Sequence, residues 1–146
     1  MKPHPYALDE LAGPLVEALE RLMRAQAERK PYLVVTEVVT DNFVQFCASA
    51  KEKLLFDVPE QDAIGGEGID MYKVADVYDM TVEDLHIHAP TEADPDAEEL
   101  HRTLQRGMRD AREGAAFAIR FLREVLYFGE IADARFVIEE GGEPMN

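Results

Sequence analysis

The chain has 146 residues, of which 47% are hydrophobic and 31% charged, and its formal net charge is −15 at pH 7. This length suits one domain with a sizeable hydrophobic core, and the apolar content is too high for a wholly disordered protein. The excess of negative charge argues against nucleic-acid binding, because affinity for a phosphate backbone depends largely on cationic side chains.

Cysteine usage and hydropathy bear on the cellular compartment. The single cysteine, Cys47, excludes an internal disulfide and suits a reducing environment. Residues 1–6 lack a basic stretch followed by an apolar one, so we expect no signal peptide. No apolar run approaches the ~20 residues that a membrane-spanning helix needs. These features predict a soluble, cytoplasmic protein without a membrane partner.

The charge is spread very unevenly along the chain. The segment from Asp57 to Glu99 contains 14 acidic residues and one basic residue, Lys73. Six of the ten arginines follow directly after it, all on one predicted helix. An acidic middle followed by an arginine-lined helix indicates contact with other proteins.

The first half of the chain predicts a helix followed by three strands. Leucines recur at three- and four-residue steps between Leu8 and Glu28, which predicts an amphipathic helix, and Gly13-Pro14 places its regular start near Gly13. The β-branched segment 32–40 predicts a strand, and residues 41–42 a turn. Segments 43–48 and 53–58 predict two further strands, which completes an antiparallel meander.

Residues 60–95 are expected to form an irregular acidic insertion. Val58-Pro59 and Gly65-Gly66 are loop signals, and residues 70–79 could form a short helix. Residues 81–84 resemble a helix start, whereas Leu85 and Ile87 alternate with histidines. The alternation favours a strand over 84–89, followed by a turn over 90–95.

The last third predicts a long helix, a strand and a tail. Asp94-Pro95 has the residues of a helix N-cap and first turn, and apolar residues keep a helical phase from Leu100 to Leu126. We expect this helix to have a kink near Gly114 and to end at Gly129. Residues 135–140 predict a last strand, and residues 141–146 a frayed tail.

Together these elements predict one α+β domain over residues 1–146. The fold class is an N-terminal helix, an antiparallel β-meander, a long C-terminal helical segment and a last strand, with helices packed on the sheet.

The segments FVQF (43–46), LLFDVP (54–59) and AAFAIRFLREVLYF (115–128) carry a resemblance to a known superfamily. With the leading helix, they resemble the YbjN and type III secretion chaperone-like superfamily, including the bacterial proteins called TY-Chap. The resemblance covers about half of the chain and rests on apolar patterns. It implies a secretion-chaperone-like sandwich that forms a homodimer through a helix or edge strand and holds a segment of a partner protein.

Catalytic and metal-binding signals are weak. His86 and His88 point the same way on a strand and could bind zinc or copper, but a pair without a third ligand favours an ordinary solvent-facing surface. Ser49 and Cys47 lack the surroundings of a nucleophile, and the glycines at 65–68 do not form a phosphate loop. We therefore expect no catalytic residue, metal or cofactor, and no enzyme.

Partner binding is expected on the predicted long helix. Its apolar face widens in the second half, and its opposite half carries the arginine row. The candidate partner-binding residues are Phe117, Phe121, Phe128, Arg102, Arg106 and Arg109.

Three functions remain open from the sequence. The first is a homodimeric, chaperone-like module that holds a partner protein. The second is an acidic, immunity-type protein that neutralises a basic toxin enzyme, and the third, weaker one is a metal-dependent enzyme using His86 and His88.

Overall fold

A computed structural model of the chain describes residues 4–25, 29–48, 53–63 and 65–144. Within these residues the fold is α+β, with three α-helices and a six-stranded antiparallel sheet. The helices are α1 (Ala12–Ala25), α2 (Met71–Tyr78) and α3 (Ala111–Glu124). The strands are β1 (Arg29–Glu37), β2 (Phe43–Cys47), β3 (Leu55–Pro59), β4 (Thr81–His88), β5 (Glu98–Gly107) and β6 (Phe136–Pro144).

The strands lie in the order β4-β5-β3-β2-β1-β6, so β4 and β6 form the two edges of the sheet. The expected meander is the central part, with Val35 opposite Val44 and Phe46 opposite Phe56. β5 then pairs with β3 on the far side, with Leu104 opposite Val58.

All three helices contact the same face of this sheet, which we call the helix face. Phe56 on β3 is fully buried and makes edge-to-face contacts with Phe46 on β2 and with Phe117 and Phe121 on α3, at centroid distances of 5.1 to 5.4 Å. Gly114 lets α3 approach closely, because an added Cβ would lie 3.1 Å from Leu54 and 3.2 Å from Leu19. The core therefore lies between one face of the sheet and the helices.

The N-terminal prediction is confirmed in its main features. A short 3-10 helix, Leu8–Glu10, precedes α1, whose buried residues include Leu15, Leu19 and Leu22. The 3-10 helix and α1 are separate elements because proline is tolerated best in the first turn of a helix, and Pro14 therefore lies in the first turn of α1. The predicted end of this helix at Glu28 lies outside the described residues.

The prediction of one long helix from residue 95 is wrong in its first half. Residues 98–107 form β5, and α3 begins at Ala111 after the N-cap Asp110, which accepts a hydrogen bond from the Glu113 N–H at 2.8 Å. The apolar residues Leu100, Leu104 and Met108 are spaced by four, which places them on one side of a helix and also on one face of a strand. Pairing with β3 and β4 decides between the two.

The segment 60–95 differs from the irregular insertion that we expected. It contains α2, capped by Asp70 and ended by Asp79 in the left-handed conformation at φ 56°, and it contains β4. The expected strand at 84–89 is therefore present but begins at Thr81, and it is an integral edge of the main sheet.

The tail expected from residue 141 is instead part of β6 as far as Pro144. β1 begins at Arg29, opposite Pro144, so it offers pairing partners to the whole of β6. Gly141 lies beside the Tyr32 ring, where an added Cβ would clash with that ring in its present position. Residues 145–146 lie outside the described residues.

No helix in the described parts of the chain has the length and apolar character needed to cross a membrane.

The aromatic contacts around Phe56 predict a large stability effect. Phe56→Ala should lower the free energy of unfolding by about 3–5 kcal/mol, because it leaves a cavity beneath α3. Val39→Ala is the control, since Val39 is 83% exposed and its truncation should change that free energy by less than about 0.5 kcal/mol. Urea unfolding measures both, and equal losses would contradict this position of the core.

The position of the third helix can be tested through its cap. Asp110→Ala should cost about 0.5–2 kcal/mol of stability, because it removes the acceptor for the Glu113 N–H. Asp94→Ala should cost less than about 0.5 kcal/mol, since among the described residues the Asp94 carboxylate accepts only from the Asp96 N–H, in an exposed turn. A larger loss for Asp94→Ala would instead favour a helix that begins at residue 95.

Candidate protein-binding surface

A two-stranded extension projects from one side of the sheet. β3 pairs only with residues 103–107 of β5, whereas β4 pairs with β5 along its whole length as far as His88 opposite Glu98. The Glu60 N–H, just after β3, still donates to the Arg102 carbonyl at 2.9 Å, whereas residues 98–101 extend beyond it and are paired only with β4 among the described residues. We call residues 84–102, which comprise both strand ends and the connecting loop, the arm.

The arm exposes large apolar side chains on both faces. Leu85 and Ile87 lie on the face opposite the helices, which we call the open face, and are 47% and 46% exposed. Their cross-strand neighbours on β5 are His101 and Glu99, so no apolar side chain lies directly opposite them. Leu100 is 49% exposed on the helix face. A two-stranded ribbon alone buries little apolar surface, so these side chains are available for a partner.

β4 is the more accessible of the two sheet edges. Its residues from Glu83 to His88 are all exposed. At the other edge, β6 carries no exposed large apolar side chain within its described part, and Tyr6 forms a bridge with its first residue, Phe136. An edge strand with free backbone groups and apolar side chains can accept a further strand.

The charge of the arm is strongly negative. It carries six exposed carboxylates and a single basic side chain, Arg102. The loop is held by internal hydrogen bonds, among them Asp94 N–H to Thr91 Oγ1 at 3.0 Å and Asp96 N–H to Asp94 Oδ1 at 3.0 Å. The six acidic residues are Asp84, Glu92, Asp94, Asp96, Glu98 and Glu99.

The two histidines of the weaker metal hypothesis lie on the arm. His86 and His88 share the helix face of β4, as their spacing predicted, and both are exposed. His86 Nδ1 lies 3.6 Å from Glu98 Oε2. Within the described residues, no group of three or more histidine, cysteine or acidic residues is arranged to hold a metal ion.

The six arginines do not line one helix, because β5 replaces the first half of the predicted helix. Arg102 and Arg106 project from the helix face of β5. The guanidinium of Arg106 lies 4.8 Å from the centre of the Phe117 ring, and its Nη1 lies 3.6 Å from Glu113 Oε1. Arg109, in the loop before α3, forms an ion pair with Glu113. This pairing raises the pKa of Arg109 and lowers the pKa of Glu113.

Arg102 connects the arm to α2. Its Nε lies 3.5 Å from Asp84 Oδ1, an ion-pair distance without hydrogen-bond geometry, and its guanidinium lies 5.9 Å from the centre of the Tyr72 ring. These three arginines thus contact other residues of the same chain. Those contacts explain where the side chains lie, and no partner protein is needed to explain it.

The three phenylalanines predicted to bind a partner lie in the core. Phe117 is 8% exposed, Phe121 1% and Phe128 2%. Phe128 makes an edge-to-face contact with Phe136 at a centroid distance of 5.2 Å. Their role in this conformation is to pack the helices against the sheet.

A polar row crosses the open face, over which no helix lies in the described chain. Gln45, Asp57 and Gln105 stand opposite one another on β2, β3 and β5. Burial raises the pKa of the Asp57 carboxyl above its ordinary value, and the neighbouring Gln105, Thr103 and Gln45 side chains oppose that rise. Asp57 Oδ1 and Thr103 Oγ1 are both buried without a hydrogen-bond partner among the described residues.

The same environment disfavours a reactive thiol at Cys47. Burial, with a smaller contribution from Asp57, raises the pKa of the Cys47 thiol. A thiol is nucleophilic only as the thiolate. This direction agrees with the interpretation of Cys47 as a small apolar residue of the sheet.

The sequence contained part of the signal for the arm. The alternation of Leu85 and Ile87 with histidines predicted a strand there, but it did not show that this strand lies at an edge or that β5 extends beyond β3. Both facts depend on residues that are distant in the sequence.

Comparisons of the chain with protein-family models, with curated proteins and with solved structures found no match.

The raised pKa of Asp57 predicts a pH-dependent stability. The Asp57 carboxyl ionises at about pH 3.9 in the unfolded chain and at a higher pH in the folded chain, so its ionisation opposes folding. The free energy of unfolding should fall as the pH rises from the unfolded-state pKa of Asp57 to its folded-state pKa. The protein should remain destabilised by this amount at higher pH. Asp57→Asn, which cannot ionise, should therefore raise the Tm at pH 7 and lose most of that advantage near about pH 3.

Thermal unfolding followed by circular dichroism at both pH values measures this effect. Asp9→Asn is the matched control, because Asp9 is exposed on the short helix before α1. A lower Tm for Asp57→Asn at pH 7 would contradict the assignment.

Proposed function

We propose that the chain is a non-enzymatic protein-binding module that holds a segment of a partner protein. The observation that carries the proposal is the arm, whose edge strand β4 is exposed from Glu83 to His88 and presents Leu85 and Ile87 without an apolar neighbour on β5. Apolar side chains beside free backbone donors and acceptors are what an extended partner segment needs.

The resemblance to the YbjN and type III secretion chaperone-like superfamily supports the same proposal. The one-sided α+β architecture is compatible with a secretion-chaperone-like sandwich, and that assignment is part of the proposal. The proposal also includes a homodimer and a cytoplasmic location. Sedimentation equilibrium tests the homodimer, since a single monomeric species across the concentration range would contradict it.

The acidic, immunity-type function is the second candidate. The observation that favours it is the charge of the arm, where six exposed carboxylates accompany one arginine. Acidic surfaces accelerate association with basic proteins and lose that advantage at high ionic strength. A folded, basic enzyme that binds this chain and loses its activity would support this alternative.

The proposed function predicts that partner capture depends on two side chains. Leu85→Thr/Ile87→Thr removes apolar surface but keeps residues that suit a strand. We expect this variant to fold with nearly unchanged stability, because both positions are about half exposed. It should retain much less of the partner that the wild-type chain captures from a lysate of the native host.

Val39→Thr is the matched control, since Val39 is more exposed than either residue and lies in the β1–β2 turn. Quantitative mass spectrometry of the retained proteins compares the three forms. Equal retention by the wild type and the double variant would refute the arm as the partner site.

A further inference from the structure

We infer that the segment held by the arm is an extended strand in which basic residues alternate with apolar ones, added along the free edge of β4. This inference rests on the proposed function and specifies the chemistry of the partner. The inference joins three observations, namely the edge of β4 that no other strand of the described chain pairs, the apolar pair on one of its faces and the carboxylates around it.

The alternation follows from the side chains that β4 presents on its two faces. On the open face, Leu85 and Ile87 would lie directly beside every second residue of an added strand. Apolar residues at those positions would supply the cross-strand neighbours that His101 and Glu99 do not provide. Glu83 is the one charged residue of β4 on this face, so the open face favours apolar side chains beside Leu85 and Ile87.

The helix face selects the intervening residues. β4 presents Asp84, His86 and His88 there, and Glu98 lies opposite His88 on β5. The one exposed large apolar side chain of the arm on this face, Leu100 of β5, lies opposite His86 and one strand away from the added segment. The long side chains of lysine or arginine can reach the carboxylates of Asp84 and Glu98. Arg102 lies 3.5 Å from Asp84 and offsets part of its charge, whereas Glu98 has no lysine or arginine opposite it.

The loop at the tip of the arm also favours basic side chains in the partner segment. Glu92, Asp94 and Asp96 are all exposed, so a basic segment would meet the same sign of charge along the whole arm. Charge complementarity of this kind speeds encounter and suppresses acidic partners. An acidic or uniformly apolar segment fits this surface less well than an alternating basic one.

The probe for this inference is an eight-residue peptide of alternating lysine and valine, which matches the eight residues of β4. An otherwise identical peptide of glutamine and valine removes the charge, and a peptide of four lysines followed by four valines removes the alternation. Fluorescence anisotropy gives the three affinities at low and high ionic strength. The alternating lysine peptide should bind about tenfold more tightly than either control at low salt, and the gap to the glutamine peptide should narrow at high salt.

Two variants with equal losses of charge locate the effect. Asp84→Asn/Glu98→Gln should weaken the lysine peptide about fivefold or more and leave the glutamine peptide unchanged. Asp9→Asn/Glu20→Gln removes two exposed carboxylates far from the arm in sequence and should change neither affinity. Amide chemical shifts of the labelled chain should move mainly over residues 81–88.

Several results would overturn the inference. Equal affinity for the alternating lysine peptide and the glutamine peptide would show that charge does not determine which segment binds. Equal affinity for the alternating lysine peptide and the block peptide would show that the alternation does not determine it either. Self-association that covers β4 and blocks the peptide assigns the edge to a second copy of this chain. If no peptide binds but Leu85→Thr/Ile87→Thr still loses its native partner, the proposed function stands and this inference fails.

Discussion

The structure depends on one pairing, that of β3 with the second half of β5. It places Leu104 opposite Val58 in the core, and it joins the β4–β5 hairpin to a meander that is otherwise built from consecutive strands. β3 has five residues and β5 has ten, so the first half of β5 necessarily extends beyond it. The projection of the arm beyond β3 follows from this difference in length, and the strand order leaves β4 at its edge.

The distribution of charge follows from the same arrangement. On the helix face, Arg102 and Arg106 of β5 contact rings on α2 and α3, so they connect the sheet to the helices. The carboxylates of the arm lie farther along the hairpin, where Arg102 is the only basic side chain to offset them. The β4–β5 hairpin therefore carries both a structural pair of cations and a surface with an excess of negative charge.

Much of the first half of the fold could be predicted from the sequence, because its signals are local. The leucine period of α1 and the β-branched run of β1 each favour one kind of element. β5 could not be predicted in this way, since the spacing of Leu100, Leu104 and Met108 satisfies both a helix and a strand. Aspartate is favoured at helix N-caps, and the predicted long helix has its cap only at Asp94; the pairing of β5 with its neighbours moves the cap to Asp110. The arginines and phenylalanines first proposed to bind a partner were chosen from their places on the predicted long helix, which includes residues that form β5. The alternation at Leu85 and Ile87, by contrast, correctly indicated a strand.

Hydrogen exchange of the individual backbone amides, measured by NMR on the free chain, shows whether β4 is an uncovered edge strand on a projecting arm. Slow exchange is expected over residues 103–105 of β5, which are paired with β3 on one side and with β4 on the other. Along β4 we expect alternation, because every second amide points to β5 and the others to the edge that no other strand of the described chain pairs. Uniform protection of residues 81–88, or a continuous helical pattern across 98–107, would contradict an uncovered edge strand on a projecting arm.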